Sequence, residues 1–292
     1  MIKTGKLYLI PNTLGGESVL DIIPAEVIKI ATSLRFFAVE EIKSARRLLR
    51  KMDREFPIDD SQFTIITRKT KESELMNILL LLTNGENVGI ISEAGCAGIA
   101  DPGADLVYLA HSQNIEVVPL VGPSSILLGL IGSGFSGQNF TFHGYLPKER
   151  KDRMKKLKDM EMDTRRTGVT HIFMDTPYRN MHVLEDILSG CADITQLCIA
   201  SNLTTSGQRI QTMSVADWKE KTFDLTDRYM DYLYEYQLEY ITRLYVETDA
   251  NLIKDINMVP YAKHRVSDYV NGYITRMKLD IKLNIIGFNE EP

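Results

Sequence analysis

Cysteine is scarce in this 292-residue chain, and what there is fits no metal site. Cys96, Cys191 and Cys198 are the three cysteines. Their odd number and irregular spacing give neither a disulfide framework nor a zinc ligand set, and they point to a reducing compartment. No apolar run approaches the ~18 residues that a membrane span needs. The opening MIKTGKLYLIP reads as a strand rather than a charged-then-apolar targeting segment. A cytoplasmic protein without membrane contact is therefore expected. An excess of basic charge is also missing. The net charge is -5 and the pI about 5.6, so no global field draws in nucleic acid. Two nucleotide signatures are absent as well. Nothing matches G-x-x-x-x-G-K-[ST], which disfavours a P-loop enzyme. The turn after the first strand reads PNTLGG rather than G-x-G-x-x-G, which disfavours an ordinary dinucleotide-binding domain.

What is present is an ordinary globular composition, 44% hydrophobic and 25% charged, with a clear alternation. KLYLI, RFFAVE, FTIITRK, NVGIIS and IEVVPL read as buried strands. PAEVIKIATSL, EEIKSARRLLRKMDR, KESELMNILLLLTN and GADLVYLAHSQN read as the helices between them. Strand–helix alternation predicts an α/β domain with a mostly parallel sheet over residues 1–120. A Gly-Pro turn in VGPSS then leads into SSILLGLIGSG, with serine at the helix cap. Residues 121–292 form a second α/β region with a mixed sheet. Its strands are NFTFHGYL, THIFMDT, TQLCIASNL and RIQTMSV, the last two forming a hairpin around TTSGQ, and its helices KERKDRMKKLKDM and YRNMHVLEDILSG. From 221 onward the composition changes to a tyrosine-rich tail, to which we assign helix packing or a dimer contact.

ISEAGCAGIADPG, residues 91–103, carries the most information. It joins a strand to a helix with almost no side chain, yet keeps Glu93 and Asp101. Small residues at the carboxyl end of a parallel strand let a ligand approach the backbone. The two acids favour hydroxyls or cationic groups over an anion. A tight packing turn is the alternative on local grounds.

Five segments together resemble the tetrapyrrole methylase superfamily of S-adenosylmethionine-dependent methyltransferases. They are LYLIPNTLG, FFAVEEIKSARRLL, ISEAGCAGIADPG, VVPLVGPSS running on to FTFHGYLP, and IFMDTPYRN, with a weaker sixth in CIASNLTTSGQRIQTMSVADW. Within that superfamily they are similar to the small-subunit ribosomal RNA (cytidine-2'-O-)-methyltransferase subfamily. The resemblance implies two α/β domains with the donor cleft between them, a homodimer, S-adenosylmethionine as cofactor and ribosomal RNA as partner. It also implies donor contacts from Pro11, from Ser92, Glu93, Ala94, Gly95, Ile99 and Asp101, and from Ser124 and Ser125. Further contacts would come from Met174, Thr176 and Asn202.

A ribose hydroxyl is a poor nucleophile, and a base would help its attack. Glu40 and Glu41, at a strand end, match the acid pair of that subfamily. A plain helix-start pair is the alternative for them. On the following helix Lys43, Arg46, Arg47, Arg50, Lys51 and Arg54 recur on one face, opposite Ile42, Ala45, Leu48, Leu49 and Met52. This stripe suits either RNA phosphates or solvent, and Arg46, Arg47 and Arg50 are the substrate candidates. Tyr178 and Arg179 in TPYRN are candidates too, Arg179 for a phosphate or carboxylate. His143 and Cys96 read as structural. A small-molecule acceptor such as a tetrapyrrole, or a protein that binds the donor without turnover, stays open at this point. A phosphate-ester enzyme is weaker, lacking a metal cluster and a P-loop.

Overall fold

A computed structural model describes residues 4–15, 18–176 and 179–221. The expected tail from 222 onward and Tyr178 lie outside the described residues. Five short strands, β1 (Lys6–Ile10), β2 (Phe36–Val39), β3 (Gln62–Ile65), β4 (Val88–Ile91) and β5 (Glu116–Pro119), make one sheet in the order β3-β2-β4-β1-β5. Every pairing in it is parallel. Side chains alternate between its faces, and each face carries its own core. Ile10, Phe37, Val39 and Ile91 pack under α1 (Ala25–Ser33) and α2 (Ile42–Met52). Leu7, Ala38, Val88 and Ile90 pack under α3 (Glu72–Thr83) and α4 (Ala104–Ser112). Because both faces are covered, β4 reads as the unbroken apolar run VGII, buried at every position.

The second region begins with α5 (Ser125–Ser133). A β-α-β unit follows, in which β6 (Phe140–Tyr145) pairs in parallel with β7 (Thr170–Met174) through α6 (Arg150–Thr167). After α7 (Asn180–Gly190), β8 (Gln196–Ser201) and β9 (Arg209–Ser214) form the expected antiparallel hairpin. Among the described residues the mixed pairing is thus divided between two two-stranded ladders. Helix α5 lies close on the hairpin: a Cβ at Gly132 would stand 2.4 Å from Ile210 Cδ1, so that side-chain end would have to shift. Trp218 is buried, and its Nε1 donates to the Leu197 carbonyl at 2.9 Å. Among the described residues no helix is long and apolar enough to cross a membrane.

KERKDRMKKLK does not form a wholly solvated basic face, because Arg153 is 6% exposed. Its Nε donates to Asp186 on α7 at 2.8 Å, and its Nη1 donates to the carbonyls of Pro147 and Lys148 at 3.1 and 2.7 Å. Arg150 Nε binds the other oxygen of Asp186 at 2.7 Å.

Candidate functional site

Parallel strands present their carboxyl ends together, and in an open α/β sheet that edge is where ligands bind. The segments after β1, β2, β4 and β5 meet there. Asn12 organises them. Its backbone N–H donates to the Gly95 carbonyl at 2.8 Å, and its side-chain amide donates to the carbonyls of Ser92 and Glu93 at 3.1 and 2.8 Å. Cys96 links the same loop to the turn after β5, its Sγ reaching the Pro123 carbonyl at 3.4 Å. Burial pushes this thiol's pKa up, so it acts as a neutral packing group.

The turn after β5 presses on Pro11. A Cβ at Gly122 would stand 2.1 Å from Pro11 Cβ, and a proline ring has little room to yield. Gly122→Ala is therefore expected to cost about 1–3 kcal/mol as an overpacked contact, read as a lower midpoint in urea unfolding. An unchanged midpoint would mean that the turn is free to shift. Ser124, buried, caps α5 by accepting from the Leu127 N–H at 3.4 Å, as its place in GPSS predicts.

Within this frame Glu40, Ser92 and Asp101 come together, with Glu93 at the rim. The Glu93 N–H donates to Glu40 Oε1 at 3.4 Å. The pKa of Glu40 is raised first by burial, then by the charges of Asp101 and Glu93; the Glu93 N–H and Arg68 act against this. Asp101 is raised by burial as well, with Ser92 and Arg68 opposing. The Ser92 hydroxyl is buried and finds no protein partner at hydrogen-bond distance, although it stands near enough to Asp101 to lower that carboxyl's pKa. Ala94 and Ile99 are exposed on the loop. Ala100 holds a left-handed φ of 65°, a conformation that costs energy for any residue with a Cβ, and its carbonyl accepts a hydrogen bond from Arg68 Nη2.

The acid pair is divided. Glu41 caps α2, its two carboxylate oxygens accepting from the N–H groups of Lys43 and Ser44 at 2.9 and 2.7 Å. That leaves Glu40 as the carboxyl facing the loop. On the other side of Glu93, a cleft of about 240 Å³ is lined by Asn12, Thr13, Ser44, Arg47, Lys51 and Glu93 itself, among others. The hairpin tip borders the cleft through Thr205, 3.4 Å from where a Gly15 Cβ would be, which brings Asn202 to the same side. Asn202 is exposed and has a φ of 50°.

The remaining expected residues belong to the second region. Met174 and Thr176 are partly buried at the end of β7. Arg179 pairs with Asp175 at 3.2 Å and donates to the carbonyls of Leu146 and Pro147 at 2.9 and 3.0 Å, so its guanidinium is engaged by the protein itself. His143 Nε2 lies 2.8 Å from His171 Nδ1 on the neighbouring strand, and burial lowers both pKa values. It is a paired structural histidine. Asn12 and Arg68 are contributors that the sequence reading missed. Asn12 follows a strand in a P-N-T turn, which is a signal of backbone hydrogen bonding. Arg68 carries no such mark.

No protein-family model matches the chain. It is 29% identical over 211 residues to the ribosomal RNA small subunit methyltransferase I of Vibrio cholerae, covering 72% of this chain and 69% of that protein. It is 28% identical over 213 residues to the Escherichia coli O157:H7 protein of the same name, covering 73% and 70%. The crystal structure of the methyltransferase CobJ superposes with a TM-score of 0.50 at 17% identity, over 73% of this chain and 88% of that one. This last likeness concerns the fold alone. The chain is thus similar in sequence to proteins named ribosomal RNA small subunit methyltransferase I, and similar in fold to a methyltransferase.

Proposed function

We propose that the chain is an S-adenosylmethionine-dependent methyltransferase acting on ribosomal RNA, with the 2'-hydroxyl of a cytidine as acceptor. The observation that carries this reading is the half-buried Glu40 carboxyl of raised pKa, set beside the Ser92–Asp101 loop and a cleft walled by cations. The loop fits the donor. A buried serine hydroxyl without a partner, two nearby carboxyls and glycines at 95 and 98 suit a ligand rich in hydroxyl and amino groups. Pro11, Ser92, Glu93, Asp101, Ser124 and Asn202 are the residues that would hold it. When bound, S-adenosylmethionine supplies a sulfonium methyl group open to in-line attack.

The chain's own residues do the rest. Glu40, ionised, accepts the proton of the attacking hydroxyl. Arg68 stabilises that ionised form and holds the Ala100 carbonyl, fixing the loop against which the reactants align. The reading includes a division near residue 120, because the five-stranded sheet closes with β5 and the later described strands pair among themselves. It also includes a homodimer and a cytoplasmic location.

Calorimetric titration with S-adenosylhomocysteine, followed by methyl transfer to unmodified small-subunit RNA, tests the proposal. Ser92→Ala is expected to leave the melting temperature of the ligand-free chain nearly unchanged, since it removes an unsatisfied hydroxyl. It should weaken S-adenosylhomocysteine about tenfold, the worth of one hydrogen bond. Absence of binding to the unmutated chain would end the methyltransferase reading.

A further inference from the structure

The six cations of the α2 segment look equivalent in sequence, but the structure sorts them: Lys43 is exposed and does not line the cleft. Arg46 Nη2 is paired with Asp59 at 3.2 Å. Arg50 donates to the Arg54 carbonyl just past the helix, and Arg54 itself lies beyond Met52, where α2 ends. Among the described residues Arg47 and Lys51 make neither an ion pair nor a hydrogen bond, and both line the cleft that Glu93 and Asn12 border. Ser44, Arg47 and Lys51 follow at i, i+3 and i+7, so they form one row along the helix. At 1.5 Å per residue Arg47 and Lys51 stand about 6 Å apart along its axis.

This cleft is electrically two-sided. Its α2 wall carries two unpaired guanidinium and ammonium groups, while its loop wall carries Glu93 and leads to Glu40. A small free anion would gain from the first wall and be repelled by the second. A chain that offers anionic groups on one side and hydroxyls on the other satisfies both. We propose that Arg47 and Lys51 form the backbone-phosphate subsite for a single RNA strand, and that Arg46 and Arg50 do not. The assignment rests on the RNA reading above. The competing explanation for Lys51 is favourable interaction with the helix C-terminus, which would affect stability alone.

The test is binding of a mixed-sequence single-stranded RNA oligonucleotide across a salt series, with S-adenosylhomocysteine titration as the control for a folded donor site. Each phosphate contact contributes about 0.7 to the slope of log K against log salt for single strands. The Arg47→Ala/Lys51→Ala double variant is expected to lose about 1.4 from that slope and still bind S-adenosylhomocysteine. Arg46→Ala/Arg50→Ala is expected to keep its slope. Equal losses in the two double variants, or no loss on changing Arg47 and Lys51, would overturn the assignment while leaving the RNA reading in place. Inorganic phosphate binding as tightly as the oligonucleotide would make this a free-anion site and overturn it as well. If the unmutated chain binds S-adenosylhomocysteine but no RNA, the RNA reading falls and the subsite with it.

Discussion

Glu40→Gln is expected to lower kcat for methyl transfer by roughly 10²- to 10⁴-fold, the usual contribution of a positioned general base, while S-adenosylhomocysteine binding changes far less. Glutamine keeps the shape and an oxygen to accept the Glu93 N–H, but it cannot take a proton. The pH profile makes the test specific. Burial raises Glu40, and the charges of Asp101 and Glu93 add to that, so its proton is lost at higher pH than from an ordinary carboxyl. Only the ionised form is a base. Activity should therefore fall as pH drops through a pKa above the usual glutamate range, and this acid limb should vanish in Glu40→Gln. Arg68→Met should move the limb to still higher pH, because Arg68 opposes the raised pKa. Glu41→Gln should act differently. It weakens a helix cap, at about 0.5–2 kcal/mol, and shows mainly in stability. A Glu40→Gln enzyme with full kcat would remove Glu40 from the chemistry and leave catalysis to positioning.

The outline of the fold was legible because buried parallel strands need continuous apolar residues and their helices need one apolar face. β4 and α2 satisfy these demands so plainly that their place follows from pattern. The small-residue loop after β4 was legible for a related reason, since close approach of backbone leaves few residue types possible. What the pattern could not tell was who partners whom. Glu40 and Glu41 are adjacent and chemically alike, and only the direction of the chain at the start of α2 makes one a cap and turns the other to the loop after β4. Arg46 and Arg47 differ in the same way, by one step around a helix. Arg68 reaches a carbonyl 32 residues away, and a carbonyl leaves no trace in sequence. Arg153 sat in a run of lysines and arginines that reads as solvent-facing. It is drawn inside by an aspartate 33 residues later.

That aspartate gives the largest expected loss of stability. Asp186→Ala should destabilise the chain by about 3 kcal/mol, because removing one member of a buried pair leaves the other charge uncompensated. For a chain of this size such a loss lowers the melting temperature by about 6–12 °C. The Asp186 and Arg153 side chains are 3% and 7% exposed, and Arg153 Nη2 lies 2.6 Å from Asp186 Oδ2. Arg153 would keep its bonds to the Pro147 and Lys148 carbonyls, which holds the expected cost at the lower end of the range for buried pairs. Burial by itself would raise the Asp186 carboxyl, but the bonds from Arg150 and Arg153 outweigh it and hold the pKa below the usual aspartate value. The sign for stability follows. The contribution is present above the unfolded aspartate pKa and is lost as pH falls through the lower folded one. The unmutated chain and Asp186→Ala should therefore differ most near neutral pH and converge in acid. Arg153→Met alone leaves Asp186 with only the exposed Arg150, so it should also be costly. Arg153→Met combined with Asp186→Leu should cost less than the two single changes summed, since no buried charge then remains unpaired. If the changes add, Arg153 and Asp186 act independently, and the carbonyls of residues 147 and 148, the first of which Arg179 also helps to hold, do not depend on the pair for their position.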